Sequence, residues 1–422
     1  MTPEIEKRIK AVQAGRVPAG YKRTAGGVVP NEWEETPLEK CLVEYKEKTT
    51  KPNQYPMLTS ARTALMLQSD YYSGHQVTTD DNVGYNVLPR GYVTFRSRSD
   101  DGRFKFNENN IIDKGIISYF YPVFSFNNHV DHKYMLFLLN ETIYRQMFPY
   151  NEGTAQMVLS FNKLKSLQYS IPPLSEQKKI AEILATQDRV IELKEKLIAE
   201  KQSQKKYLMS VLLGDDFKKP FKLNGLTIDK KKWEKVRCEK ILVPSGKRNK
   251  ENLDLEPYAI TNEYGFVPQK QAHDDFGYMK NADRSAYIIV SPNSFGYNPA
   301  RINVGSIGFY DGSKDIIVSS LYEVFKTTDS IDNRFLWHWF KSDIFPKWID
   351  KLQEGSVRQY FYYDKLSRCE INLPSLPEQK AIADVLSAAD EEISLLQKGL
   401  EQEKFKKKSL MQLLLTGLVR VA

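Results

Sequence analysis

Three cysteines, Cys41, Cys238 and Cys369, are too few and too scattered to build a disulfide framework, and their odd number fits a reducing compartment. No CxxC pair occurs, so the usual structural zinc signature is missing. No apolar run approaches the roughly 18 residues that a membrane span requires, and stretches such as Met135–Leu139 are short core segments. Met1 to Lys10 is charged throughout and lacks an apolar signal core, so the expected location is cytoplasmic, with no membrane partner. The strings that announce chemistry are missing as well. There is no GxxxxGK[ST] cradle for phosphates and no Asn/Asp-Pro-Pro-aromatic loop for amino-methylation of bases; the lone Pro-Pro, Pro172-Pro173, opens a helical pattern. Asp100-Asp101 and Asp274-Asp275 have no partner set for two metals. His129 and His132 are spaced HxxH in a polar stretch without a third ligand, and are read as loop residues. The expectation is a chain with no catalytic residue, metal or cofactor of its own.

What is present is a folded composition, 41% hydrophobic and 27% charged, over 422 residues, enough for two or three domains. The net charge of +8 is mild but suits a protein that neutralises phosphates.

The chain is written twice. Trp33-Glu34, Glu39-Lys40 and Leu42-Val43 recur as Trp233-Glu234, Glu239-Lys240 and Leu242-Val243, and Tyr21-Lys22 is matched by Phe221-Lys222. Ser118-x-x-Tyr121-x-Val123-Phe124 returns as Ser319-x-x-Tyr322-x-Val324-Phe325. From Glu152 to Leu213 the chain aligns without gaps on Glu354 to Leu415, with about 22 identities in roughly 62 positions, which chance does not produce. After Leu213 comes a connector from Gly214 to Trp233; its counterpart is at the N-terminus, Gly15 to Trp33, so the two chain ends resemble one cut connector and are expected to lie close together.

Each copy has two parts. The first is rich in Tyr, Phe, Ile, Val, Asn, Gly and Pro, with short apolar segments (Gly91–Phe95, Ile116–Phe120, Tyr287–Val290, Ile316–Val318) between turn residues and short helices at His132–Arg145 and Asn333–Lys341. The second part, 175–213 and 377–416, is a long helix. Ile180, Ile183, Leu184, Val190, Ile191, Leu197, Ile198, Leu208, Val211 and Leu212 share one face, echoed by Ile382, Val385, Leu386, Ile393, Leu396, Leu400, Leu410, Leu413 and Leu414. A helix of about 39 residues spans roughly 58 Å, too long for one small core, so its stripe needs another long helix. The predicted fold is α+β: two pseudo-two-fold related globular domains separated by a pair of long antiparallel coiled-coil helices. The predicted segments are 1–174, 175–213, 214–376 and 377–422.

This plan resembles the specificity subunits of type I restriction–modification systems, in which target recognition domains alternate with helical spacers. The resemblance covers essentially the whole chain. It rests on the Pro-x-Leu-x-Glu-Gln openings (Pro172 to Gln177, Pro374 to Gln379), on the helix endings Leu212-Leu213-Gly214 and Leu414-Leu415-Thr416-Gly417, and on Tyr297 to Gly308. Gly153-Thr154-x-Gln156 and Gly355-Ser356-x-Arg358 are also similar to a family segment; Gln156 stands where the second copy has Arg358, so a phosphate role need not be shared. The resemblance implies a subunit that reads a bipartite double-stranded DNA site and binds two methyltransferase subunits. It leaves open whether restriction subunits join the complex or the system only methylates, with S-adenosylmethionine, ATP and Mg implied for the partner chains.

On that reading, affinity comes from Lys and Arg on phosphates and specificity from side chains at base edges. The densest candidates in the first domain are Arg90, Arg96, Arg98, Arg103 and Lys105, joined by Gln156. In the second they are Lys247, Arg248, Arg284, Tyr297, Asn298, Arg301 and Arg358. Composition and repeat alone are also compatible with a coiled-coil scaffold carrying carbohydrate- or protein-binding ends, which would show no salt-dependent DNA affinity.

Overall fold

With no Gly or Pro to interrupt it, the run after Pro173 forms one helix, Leu174–Leu213 (40 residues), in the computed structural model, and its repeat forms Leu376–Leu414 (39 residues). The structure describes residues 2–24, 26–72, 81–147, 157–214, 219–272, 284–352 and 360–421. Contacts divide the chain into two units, Met1–Lys194 with Leu400–Ala422, and Glu195–Gly399. Each helix therefore contributes residues to both units.

In the first unit Asp188 pairs with Lys407 (2.5 Å) and Lys194 with Glu403 (3.3 Å), so numbers rise on one helix as they fall on the other. In the second unit Lys201 pairs with Glu392 (2.7 Å) and Lys205 with Asp390 in the same antiparallel sense. Such exposed pairs set register more than stability. The burial that holds the helices is apolar. Ile180, Ala181, Leu184, Leu414 and Leu415 join the first unit's core; Met209, Leu212, Leu213, Ile382, Ala383 and Leu386 join the second's. Each fully buried leucine contributes about 2 kcal/mol relative to exposure. Leu197 departs from the predicted stripe: it is 38% exposed, because the face it shares with Leu193 is turned to solvent.

The opening motif of each helix is a staple. Gln177 Oε1 accepts from Asp131 N (2.8 Å) while its amide donates to Pro172 O (2.9 Å). Gln379 repeats this with Asp332 N (2.7 Å) and Pro374 O (2.9 Å). Asp131 and Asp332 in turn cap the short helices His132–Met147 and Asn333–Phe340 by accepting from Tyr134 N and Phe335 N. The neighbouring glutamates diverge. Glu378 closes a capping box on Ser375 N and Oγ (2.9 and 2.7 Å). Both accept from a tryptophan, Trp33 Nε1 (3.3 Å) and Trp233 Nε1 (3.5 Å), but Glu176 faces Pro173, which has no N–H to offer, and turns instead to Arg420 Nε (2.7 Å).

Each unit carries a four-stranded antiparallel sheet. In the first the order is Phe106–Glu108, Val93–Phe95, Val123–Phe126, Leu42–Tyr45; in the second it is Ile307–Tyr310, Ser294–Tyr297, Glu323–Thr327, Leu242–Pro244. The duplication is thus preserved strand for strand. Asn86–Pro89 pairs with Lys114–Ile117, and Ile288–Val290 with Ile316–Val318, as a further layer. Buried rings fill the space between sheet and helices: Phe95, Phe106 and Phe124 in one unit, Phe295, Phe325 and Phe340 in the other. The predicted segment Ile116–Phe120 is only half strand, since Ser118–Tyr121 turns back on a Tyr121 N–H to Ser118 O bond of 2.9 Å.

The ends meet within the first unit. Arg8 Nη1 donates to Leu418 O (2.5 Å) and Tyr21 O–H to Gly417 O (2.7 Å). The hairpin Tyr21–Thr24/Gly27–Pro30 repeats Phe221–Leu223/Leu226–Ile228 of the second unit, as the cut-connector reading requires.

Candidate nucleic-acid interface

Strand register superposes the two candidate loops. Phe95 pairs with Phe106 and Tyr297 with Ile307, each closing a connection between the same two strands, so Arg96–Lys105 and Asn298–Ser306 are equivalent loops at the same end of equivalent sheets. The next turn at that end is also equivalent, Ser118–Pro122 and Ser319–Tyr322, because Thr94 pairs with Val123 and Tyr297 with Glu323.

In the first unit this loop is tightly built. Ser99 Oγ donates to Asp101 Oδ1 (2.8 Å) and Arg103 N donates to the same oxygen (3.1 Å); together they hold the Asp101 carboxyl below the usual carboxylate range. Arg62 forks onto both Asp101 oxygens (3.0 and 3.3 Å). Gly102 sits at φ 71°, where any other residue would be strained, and a Cβ there would push Met157 Sδ aside (2.4 Å). Ser97 Oγ donates to Phe120 O (2.9 Å) and ties loop to turn. Against this frame Arg96 and Arg98 stand exposed, and neither is matched to a carboxylate among the described residues. With Lys46, Lys48, Tyr119 and Phe120 they line a cleft of about 690 Å³. A second cleft of about 360 Å³ is lined by Tyr71, Tyr72, Arg103 and Lys105 on the same loop. Arg103 lies over the Tyr144 ring (5.7 Å). Removal from water, then the like charge of Lys407, holds the Lys105 ammonium below its usual range. Arg90 is committed to closing a neighbouring turn, through Asp113 (3.0 Å) and Asn110 O (2.8 Å).

In the second unit Asn298 Oδ1 accepts from Ala300 N (2.9 Å), shaping the turn that presents exposed Arg301. Phe361 N donates to Pro299 O (3.0 Å), which sets Tyr360 and Tyr362 beside this loop, their exposed rings stacked at 5.5 Å and 13°. Lys247 and Arg248 are exposed on a short strand paired with Ile289 and Ile288.

One candidate is corrected. Tyr297 was read as a surface contact, but its side chain is fully buried, its hydroxyl finds no partner there, and burial raises its pKa; alternation along Ser294–Tyr297 offers no exposed face because the sheet is covered on both sides. Arg284 is partly exposed, 15% in its side chain, and lies 3.8 Å from the exposed Asp254. Gln156 and Arg358 lie outside the described residues. His132 Nε2 lies 3.2 Å from Glu108 Oε1, and among the described residues no group of three or more His, Cys, Asp or Glu is placed to hold a metal. No described helix is long and apolar enough to cross a membrane.

Sequence reasoning chose the cations of these loops and missed the aromatics around them. The available signal was alternation: in Tyr360-Phe361-Tyr362 the outer rings are exposed and the middle one buried, the period of an extended strand.

The type I restriction modification DNA specificity domain matches residues 36–201 and 219–403. The putative type I restriction enzyme MjaX specificity subunit of Methanocaldococcus jannaschii is 27% identical over 440 residues, covering 95% of this chain and 97% of that protein. The MjaVIII specificity subunit of the same organism is 29% identical over 276 residues, 61% of this chain and 63% of its own. The fold is similar to the crystal structure of the type I restriction–modification S subunit from M. genitalium, with a TM-score of 0.54 at 14% identity over 90% of this chain and 96% of that one. The twice-matched domain, the full-length relative and the duplicated topology agree: this chain belongs to the family of type I restriction–modification DNA specificity subunits.

Proposed function

We propose that the chain supplies sequence reading, and no chemistry, to a type I restriction–modification enzyme, each unit reading one half of a split duplex target. The observation that carries this is the pair of equivalent loops, Arg96–Lys105 and Asn298–Ser306, each beside exposed aromatics. Arginines on a rigid frame suit phosphate positioning and bidentate readout of guanine. Two such loops, one per repeat, suit two half-sites. The long helices set the distance between the halves and dock two methyltransferase subunits; Leu193 and Leu395, exposed at equivalent positions on the two helices, support one partner surface used twice. S-adenosylmethionine, ATP and Mg enter with the methyltransferase and restriction chains, and no residue of this chain is assigned to them.

Sequencing of methylated adenines in the source genome, with and without the gene, tests the reading. The expected result is a gene-dependent motif of two short specified stretches around an unread gap of fixed length. Exchanging residues 34–171 for those of another family member is expected to change one stretch only. A continuous motif, or a change in both stretches, overturns the reading. A steep fall in DNA affinity with salt separates it from a protein- or carbohydrate-binding scaffold.

A further inference from the structure

The turn next to each candidate loop ends in an apolar side chain that the fold holds out into solvent. In the first unit it is Phe120, 59% exposed, with its ring 4.1 Å from that of Tyr119. In the second it is Leu321, 74% exposed. They occupy the same place in the repeat, between Ser118 and Tyr121 and between Ser319 and Tyr322. The turns are built alike: Tyr121 N donates to Ser118 O (2.9 Å) and Tyr322 N to Ser319 O (3.1 Å). Phe120 N and Leu321 N point at the preceding serine hydroxyls (3.5 and 3.4 Å). Asn86 Nδ2 further clamps the first turn through Tyr121 O (2.8 Å).

A lone exposed apolar residue needs no explanation. One retained at the tip of the same rigid turn in both copies, while neighbouring positions diverged (Tyr119 against Ser320, Pro122 against Glu323), calls for one. In the first copy the tip stands in the cleft that also holds Arg96, Arg98, Lys46 and Lys48, so whatever covers it carries negative charge beside an apolar surface. Duplex DNA offers both, phosphates around base faces and thymine methyls.

We propose that Phe120 and Leu321 are the apolar reading tips of the two domains, each pressed against the bases of its own half-site. This rests on the DNA-reading function above. A preformed turn makes the contact without paying to order a loop, and an apolar tip adds sequence discrimination without adding counterion release.

The test is selection of duplexes from a randomised pool by the full chain in complex with its methyltransferase subunits, followed by affinities across a salt series. Wild type is expected to select a split motif. Phe120→Ala should relax one stretch and Leu321→Ala the other, each weakening specific binding about ten-fold. Non-specific affinity and salt slope should stay unchanged; Leu321→Met should retain selection. If wild type selects the split motif and both alanine variants select it equally well, the tips do not read DNA although the domains do. Equal weakening on all duplexes, or loss of the methyltransferase subunits from the complex, also overturns the proposal by assigning the tips to folding or to a protein contact. A wild type that selects nothing removes the underlying reading and the proposal together.

Discussion

Arg420 shows how much a single side chain near the end of the chain carries. Its guanidinium meets Glu176 at 2.7 and 2.9 Å and Glu32 at 3.0 Å, and Glu176 is nearly fully buried. Arg420→Met leaves that carboxylate without its cation and is expected to cost the first unit about 3 kcal/mol. Hydrogen exchange should locate the loss around residues 21–33 and 174–184, with the second unit protected as before. His338 makes a different prediction. Its ring is buried, with Nε2 3.0 Å from Ser387 Oγ and Nδ1 3.8 Å from Asp390. Burial first, with Lys205 and Arg334 adding to it against Asp390 and Asp332, lowers its pKa to about 4. The unfolded chain therefore takes up the proton first, so stability is full above about pH 6.5 and falls toward pH 4, by on the order of 3 kcal/mol. The repeat places Phe137 at the equivalent position, and His338→Phe should flatten this window in thermal melts at pH 7 and pH 5. At the interface, Arg96→Ala or Arg98→Ala should each reduce the salt slope of DNA binding by about one. Individual contacts were poorly legible in sequence because Tyr297 and Arg96 look equally suitable as letters; only the strand register buries one and frees the other.

The long helices were legible almost to the residue, since an uninterrupted run without helix breakers and a full-length apolar stripe have one solution. What the pattern did not reveal was how two copies of one motif begin differently. A proline replaces the serine N–H that Glu378 caps, and Glu176 is thereby released to hold the chain end. The strands were less legible, being two to five residues long and interrupted by irregular loops whose shape depends on bonds such as Ser97 to Phe120. If the helices measure the unread gap, adding four residues to both at matched places lengthens each by about 6 Å. The expected outcome in the methylation motif is a gap longer by one or two base pairs with both read stretches unchanged; an unaltered gap removes the measuring role.

At the scale of the whole chain, duplication was the most legible feature and the partition into units the least. Internal identity announces two copies, but it does not say that each globular domain is completed by the far end of the other copy's helix. Antiparallel pairing brings this about by placing Leu414 and Leu415 with Ile180 and Leu184, and Leu212 and Leu213 with Ile382 and Leu386.

That partition has a consequence for synthesis on the ribosome. Domains generally fold in the order in which they emerge, yet here the later half, Glu195–Gly399, is contiguous and finished first. The earlier half waits with Ile180 and Leu184 lacking Leu414 and Leu415 until residues 400–422 leave the exit tunnel, so a nascent chain held with only those last residues inside the tunnel has its second domain complete and its first still open to proteases.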